Sequence, residues 1–240
     1  MKRIAYITDV HMDEQFPKDF GVDARRNLGL ILEDVRERNI SEVIIGGDMG
    51  ETTAREFFEL LKDFTLHVTL GNHDAFSDVT KYFTKYTREG RSELYYSFEE
   101  GAFRYIFLDS SSEQLSQAQL QWLEGELQTD RSLLLFLHHP VLPVNTGIDK
   151  LYPLRNRGSL RTLLQDFPQP ITIFCGHYHI DDETTDGHIR QFITPAASVQ
   201  IRKDSDTLQL YNGPFGYRII NIDGDRVETQ LLLYKDGSFS

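Results

Sequence analysis

Five short apolar runs in this chain end on clusters of Asp, Asn and His, and that repeated ending restricts the fold more than any other feature. Arg3–Thr8 runs into Asp9-Val10-His11, Glu42–Ile45 into Gly46-Gly47-Asp48, and His67–Leu70 into Gly71-Asn72-His73-Asp74. Ser132–Leu137 runs into His138-His139, and Ile171–Cys175 into Gly176-His177-Tyr178-His179. Runs this short and this apolar read as buried strands. Helical patterns lie between them. Asp23–Arg38 puts Leu28, Ile31, Leu32 and Val35 on one face. Thr53-x-x-Glu56 is a capping box ahead of Phe57, Phe58, Leu60 and Leu61, and Ser116-x-x-Gln119 opens a capped helix holding Trp122 and Leu123. Ser77–Thr87 and Leu160–Phe167 read as helices, Leu94–Phe98 and Phe103–Leu108 as strands joined at Gly101, and 143–158 as a loop. After residue 180 the pattern changes to hairpins, with Asp186-Gly187 and Asp223-Gly224 as turns. The alternation predicts parallel pairs and the hairpins an antiparallel portion. The expected fold is therefore α/β, two mixed sheets packed together with helices outside. At 240 residues one domain over 1–240 is expected, with the hairpins of 179–235 inside it.

In open α/β sheets the carboxyl ends of the strands face one crevice, so the five clusters should converge. In extended backbone residues i and i+2 point to one side, which pairs Asp9 with His11 and His177 with His179. Asp9, His11, Asp48, Asn72, His138, His177 and His179 then make a cage for two metal ions. Imidazole and carboxylate donors suit Mn, Fe, Zn or Co. Asp48 is the natural bridge, with Asp9, His11 and His179 on one ion and Asn72, His138 and His177 on the other. Such a centre lowers the pKa of a bound water and clamps a phosphoryl group for in-line attack.

These motifs, in this order, resemble the calcineurin-like metallophosphoesterase superfamily, whose DxH, GD, GNH(D/E), H and GHxH blocks match Asp9–His11, Gly47–Asp48, Gly71–Asp74, His138 and Gly176–His179. Within it the chain is most similar to the class III cyclic-nucleotide phosphodiesterases, through His138-His139-Pro140, Thr194-Pro195-Ala196 and Gly216-Tyr217-Arg218. It departs from them at Phe215, which stands between Pro214 and Gly216, and at Asp181-Asp182-Glu183. The resemblance implies a four-layer α-β-β-α sandwich, two divalent or trivalent transition-metal ions and hydrolysis of small phosphodiesters, cyclic nucleotides among them. The alternatives are a phosphomonoesterase, a nucleotide pyrophosphatase, a nuclease, or a metal-binding scaffold without activity. The resemblance also gives His73 a role in binding phosphate and protonating the leaving group, with Asp74 either orienting His73 or capping the turn. His139 should point away from the site if the strand continues, and serve as a packing or supporting residue. Arg155, Asn156 and Arg157 are candidates for substrate contact against a solvated loop. His67 and Cys175 read as core.

Charge narrows the partners. Lys and Arg number 25 against 37 Asp and Glu, a formal charge of −12 that disfavours long nucleic acid and anionic membranes. No apolar run nears the ~20 residues of a membrane span. Met1-Lys2-Arg3 leads straight into a strand rather than a signal peptide. A single cysteine fits a reducing compartment, so the expected location is the cytoplasm. A homodimer stays open. The acidic run 181–183 is expected to add negative charge at the site's mouth, favouring a singly charged diester over a dianionic monoester.

Overall fold

The computed structural model describes residues 1–51 and 54–240, so the capping residue expected at Thr53 lies outside the described residues. The chain runs β1 (Lys2–Ile7), α1 (Gln15–Asp19), α2 (Ala24–Glu37), β2 (Glu42–Ile45), α3 (Ala54–Leu60), β3 (Thr65–Val68) and α4 (Phe76–Val79). It continues through β4 (Tyr96–Glu100), β5 (Phe103–Phe107), α5 (Gln117–Glu126), β6 (Ser132–Phe136), α6 (Gly147–Leu151), α7 (Arg157–Asp166) and β7 (Ile171–Cys175). The last elements are β8 (Asp182–Asp186), β9 (Ile189–Ile193), β10 (Gln200–Ile201), β11 (Leu210–Tyr211), β12 (Gly216–Asp223), β13 (Arg226–Lys235) and β14 (Ser238–Phe239).

Two six-stranded sheets result, ordered β14-β13-β12-β1-β2-β3 and β4-β5-β6-β7-β9-β8, with β10 and β11 forming a separate pair. Both sheets are mixed. β1, β2 and β3 are parallel while β12 joins β1 antiparallel; β5, β6, β7 and β9 are parallel, with β4 and β8 antiparallel at the edges. The side-chain period of two divides each strand between layers. On β6, Leu134 and Phe136 join the core between the sheets, whereas Leu133 and Leu135 pack under α5 and α7 with Leu123, Leu160 and Leu164. Tyr6 of β1 reaches across, its ring 6.2 Å from Phe136 and 6.0 Å from Phe174. Leu28, Ile31, Leu32 and Val35 bury the face of α2 as the pattern requires, and Asp23 caps it by accepting from Arg26 N at 2.9 Å.

Several expectations change, the strand expected at Leu94–Phe98 among them, which lies at Tyr96–Glu100. Ser77–Thr87 forms one helical turn, Phe76–Val79, and then irregular turns. Thr80 and Thr87 hydroxyls compete for the carbonyls of Phe76 and Thr84, and Tyr86 leaves to stack on Tyr96 at 3.8 Å. The segment 143–158 holds α6, capped by Thr146, which accepts from Asp149 N. β3 sits two residues earlier than expected, although Thr69 N still donates to Ile45 O at 2.9 Å.

Candidate metal centre

The strand ends leave their sheets by an uncommon route. Asp9, His11, Asp48, His177 and His179 all have φ between 48° and 68°. The left-handed region is costly for residues with a Cβ, and side chains persist there only where the surroundings dictate it. The surroundings here are hydrogen bonds between strand ends: Asp9 N to Gly47 O at 3.0 Å, His11 N to Asp48 O at 2.9 Å and Gly176 N to His138 O at 3.0 Å. The expected extended i, i+2 pairs are therefore left-handed turns. Asp9 and His11 still share a cluster, but His177 and His179 face different ones.

One donor atom each from Asp9, His11 and His179 lies within 4.8 Å of the others, and so do atoms of Asp48, His138 and His177. Asp48 Oδ2 stands between the two sets, 3.2 Å from His138 Nε2 and 3.6 Å from His11 Nε2. His11 Nε2 and His179 Nε2 are 3.3 Å apart, and the latter is 3.2 Å from Asp9 Oδ1. The outward ring nitrogens are tied down. Nδ1–H of His138 donates to Gly46 O at 2.8 Å, Nδ1–H of His179 to Val199 O at 2.7 Å, and Nε2–H of His177 to Tyr152 O at 3.0 Å. A carbonyl only accepts, so the other nitrogen of each ring is left as a lone-pair donor toward its cluster. Asn72 Oδ1 and His138 Nε2 are buried without a hydrogen-bond partner among the described residues, the latter lying off the hydrogen-bond direction of Asp48. Buried imidazole and carboxylate donors with lone pairs converging fit transition-metal cations. The carboxylates and rings hold each other ionised: burial alone would raise the Asp48 carboxyl, yet His138 and His11 hold it well below the carboxylate range, and burial would lower His138, yet Asp48 and Asp9 push it up to about 10, so a cation bound there would have to displace the His138 Nε2 proton to use its lone pair.

Glu14 is the functional residue that the motifs miss. Its side chain is 5% exposed, and its two oxygens take His11 Nδ1–H at 2.8 Å and His73 Nδ1 at 2.9 Å. Burial pushes Glu14 up, but these hydrogen bonds win and bring it to about 2; the same bond raises His73 to about 9. The spacing His11-x-x-Glu14, one turn beyond a metal-type histidine, is the sequence signal that points to it. Asp74 does not orient His73. Its oxygens accept from Asp48 N at 2.7 Å, Gly71 N at 2.8 Å and Met49 N at 2.9 Å, which makes it the cap of the turn. His73 instead donates its backbone N–H to Asp48 Oδ1 at 2.9 Å.

His139 stays on the site's side, because the strand ends at Phe136 and the alternation does not continue. Its ring lies 4.0 Å from that of His177, and its Nδ1 bonds Ser110 Oγ at 2.9 Å. Asn156 is structural, bonded through both side-chain heavy atoms to the Leu115 backbone, and Arg157 pairs with Asp149. Arg155 borders the cavity beside His177 but is paired with Glu113. The acidic run does not charge the mouth as expected: Asp181 pairs with Arg218 at 2.8 Å, Asp182 with Lys203 at 2.6 Å and Glu183 with Arg190 at 2.7 Å.

Comparison with known proteins agrees with this geometry. Residues 2–181 match the model of the calcineurin-like phosphoesterase family. A probable cyclic nucleotide phosphodiesterase of Fibrobacter succinogenes is 26% identical over 245 residues, covering 95% of this chain and 93% of its own. A glycerophosphodiester phosphodiesterase of Enterobacter lignolyticus is 28% identical over 196 residues, covering 73% and 70%. The crystal structure of a dimetal phosphatase from Danio rerio superposes with a TM-score of 0.68 at 16% identity, over 98% of this chain and 99% of that one, and so shares the fold. Motifs, sandwich and family match coincide on the same strand ends, and the chain belongs to the calcineurin-like phosphoesterase family.

Proposed function

We propose that this chain is a two-metal phosphodiesterase for small diesters, cyclic nucleotides among them. Asp9, His11 and His179 would hold one ion and Asn72, His138 and His177 the other, with Asp48 between them. The donor types suit Mn, Fe or Zn in a divalent or trivalent state. The observation that carries this reading is the Asp48 carboxylate set between two three-donor clusters on left-handed backbone. Held there, two cations supply a nucleophile at neutral pH and positive charge for the phosphoryl oxygens.

The chain's own residues account for the rest. His73 lines the cavity over both clusters, and with Nδ1 held by Glu14 its Nε2 is the nitrogen left to protonate the departing alcohol. Such positioned acid help is worth ~10²–10⁴-fold. Glu14 is a positioning residue: one carboxylate fixes the rings of both His11 and His73. Asp74 holds the turn that carries Asp48 and Asn72 in place. Two cations beside the site are occupied, Arg155 by Glu113 and Lys203 by Asp182, which favours a singly charged phosphate. We read residues 1–240 as one domain, because β12 of the C-terminal hairpins pairs with β1. The buried free Cys175 fits a reducing, cytoplasmic setting. The test is kcat/KM of the manganese-reconstituted protein on an aryl phosphodiester and the matching aryl monoester. The diester is expected to lead by at least about tenfold, one order in discrimination. A lead for the monoester overturns the reading.

A further inference from the structure

The cavity above the clusters, about 290 Å³, has a floor and walls of opposite character. The floor is His11, Asp48, Asn72, His73, His177 and His179. The walls are Phe16 from α1, Ile148 and Tyr152 from α6 and just beyond it, and Ile201, Leu208 and Leu210 from the β10–β11 hairpin. Tyr152 is 48% and Leu208 45% exposed, two of the few large apolar side chains that the described residues leave in solvent. Exposed apolar groups gathered on the rim of one cavity mark a binding surface.

The walls are built, not incidental. A Cβ on Gly147 would meet Ser205 O at 2.2 Å and Asp206 Cα at 2.6 Å, so the start of α6 lies directly against the β10–β11 loop. Tyr152 O takes His177 Nε2–H, which ties the end of α6 to the donor cluster. Phe16 stands edge-on to His11, ring centres 4.8 Å apart. Apart from the Tyr152 hydroxyl, the wall side chains offer no hydrogen-bonding group.

Taking the phosphodiesterase reading as given, we propose that these walls are the specificity surface of the site. They receive a flat aromatic group on the ester alcohol and select for flatness without reading the identity of the base. A nucleoside or aryl ester buries its ring against Phe16, Tyr152 and Leu208. A glycerol ester would give up water for walls whose only side-chain hydrogen-bonding group is the Tyr152 hydroxyl. Ribose and glycerol both leave as alkoxides, but one diester is a ring and the other an open chain, so the walls' share of the difference is read from a wall variant.

The experiment uses the manganese-loaded full chain on the 3′,5′-cyclic monophosphates of adenosine, guanosine and uridine and on glycerophosphoethanolamine. The expected result is kcat/KM within about threefold among the three nucleotides, and at least about tenfold lower on the glycerol diester, the worth of ~50 Å² of apolar contact. Leu208→Asn, at an exposed position, should collapse that gap, acting chiefly through the nucleotide KM, with the thermal midpoint unmoved. A glycerol diester turned over as well as the nucleotides, a preference above tenfold for one base, or an unaltered gap in Leu208→Asn overturns the wall and leaves the phosphodiesterase reading standing. Failure of the metal-loaded chain to hydrolyse any diester overturns both.

Discussion

Gly71→Ala tests the strand-end architecture with one methyl group. A Cβ at Gly71 would lie 2.1 Å from Asp48 Oδ1, 2.6 Å from Asp48 N and 2.7 Å from Asp48 Cγ. Ordinary non-bonded contacts sit near ~3.5 Å, so something must yield by about 1 Å. The backbone of Gly71 is not in the left-handed region, so the conflict is one of space alone. Asp48 cannot swing aside freely. Its N–H is held by Asp74 at 2.7 Å, its Oδ1 by His73 N at 2.9 Å, and its Oδ2 faces His138 at 3.2 Å. The displacement therefore falls on the carboxylate that sits between the two clusters. Overpacking of this kind costs ~1–3 kcal/mol of stability, and ~1 Å of misplacement at a reacting centre costs ~10²-fold in rate. The assay pairs elemental analysis of bound metal with turnover of a cyclic nucleotide. Gly71→Ala is expected to fold, to lose about a hundredfold in kcat and to hold less metal than wild type. A variant within about threefold of wild type and with full metal would show that the position of Asp48 does not matter as supposed.

Three other outcomes are expected. His73→Ala should keep its metal content and lose about 10²–10⁴-fold on a cyclic nucleotide but much less on a nitrophenyl diester, whose leaving group needs no proton; equal losses would make His73 a phosphate binder only. Glu14→Ala should lose activity on both substrates through His11 and lose more on the cyclic nucleotide through His73, and equal losses on the two would remove its role in orienting His73. His67 is buried between the sheets, 4.8 Å from the Phe98 ring and 5.4 Å from Phe107, and burial with the charges of Lys85 and Lys2 lowers it to about 3. The unfolded chain takes up a proton below about pH 6.5 that the folded chain refuses, so stability is whole above that pH and falls by about 1.4 kcal/mol per unit beneath it. His67→Phe should shrink the pH 7 to pH 5 stability difference from urea melts by about 2 kcal/mol, and an unchanged difference would place the acid sensitivity elsewhere.

The framework was legible because its signals are local. Leu133–Leu137 and Ile171–Cys175 read as buried strands by their length and composition, and Asp186-Gly187 and Asp223-Gly224 are turn dipeptides that fix both hairpins. The donor residues were legible because each follows a strand. What escaped depends on contacts between distant segments. Asp74 looks like a partner for its neighbour His73 until the backbone of Asp48 and Met49, some 25 residues away, takes its oxygens. Glu14 looks like one of many surface acids until His73 folds onto it. The acidic run 181–183 gains Arg218, Lys203 and Arg190, and its charge at the mouth is offset. The walls of the cavity come from segments of no recognisable motif, which only the packing of α6 on the β10–β11 loop unites.

If Asp9, His11 and His179 hold one ion and Asn72, His138 and His177 the other, with Asp48 between them, both ions are needed for turnover. Manganese added stepwise to metal-stripped protein, with bound ions per chain counted and diester turnover measured, decides it. Turnover should stay low at one ion per chain, rise as the second binds, and fail to rise in Asp48→Asn. Full turnover at one ion per chain, or in the stripped protein, would contradict it.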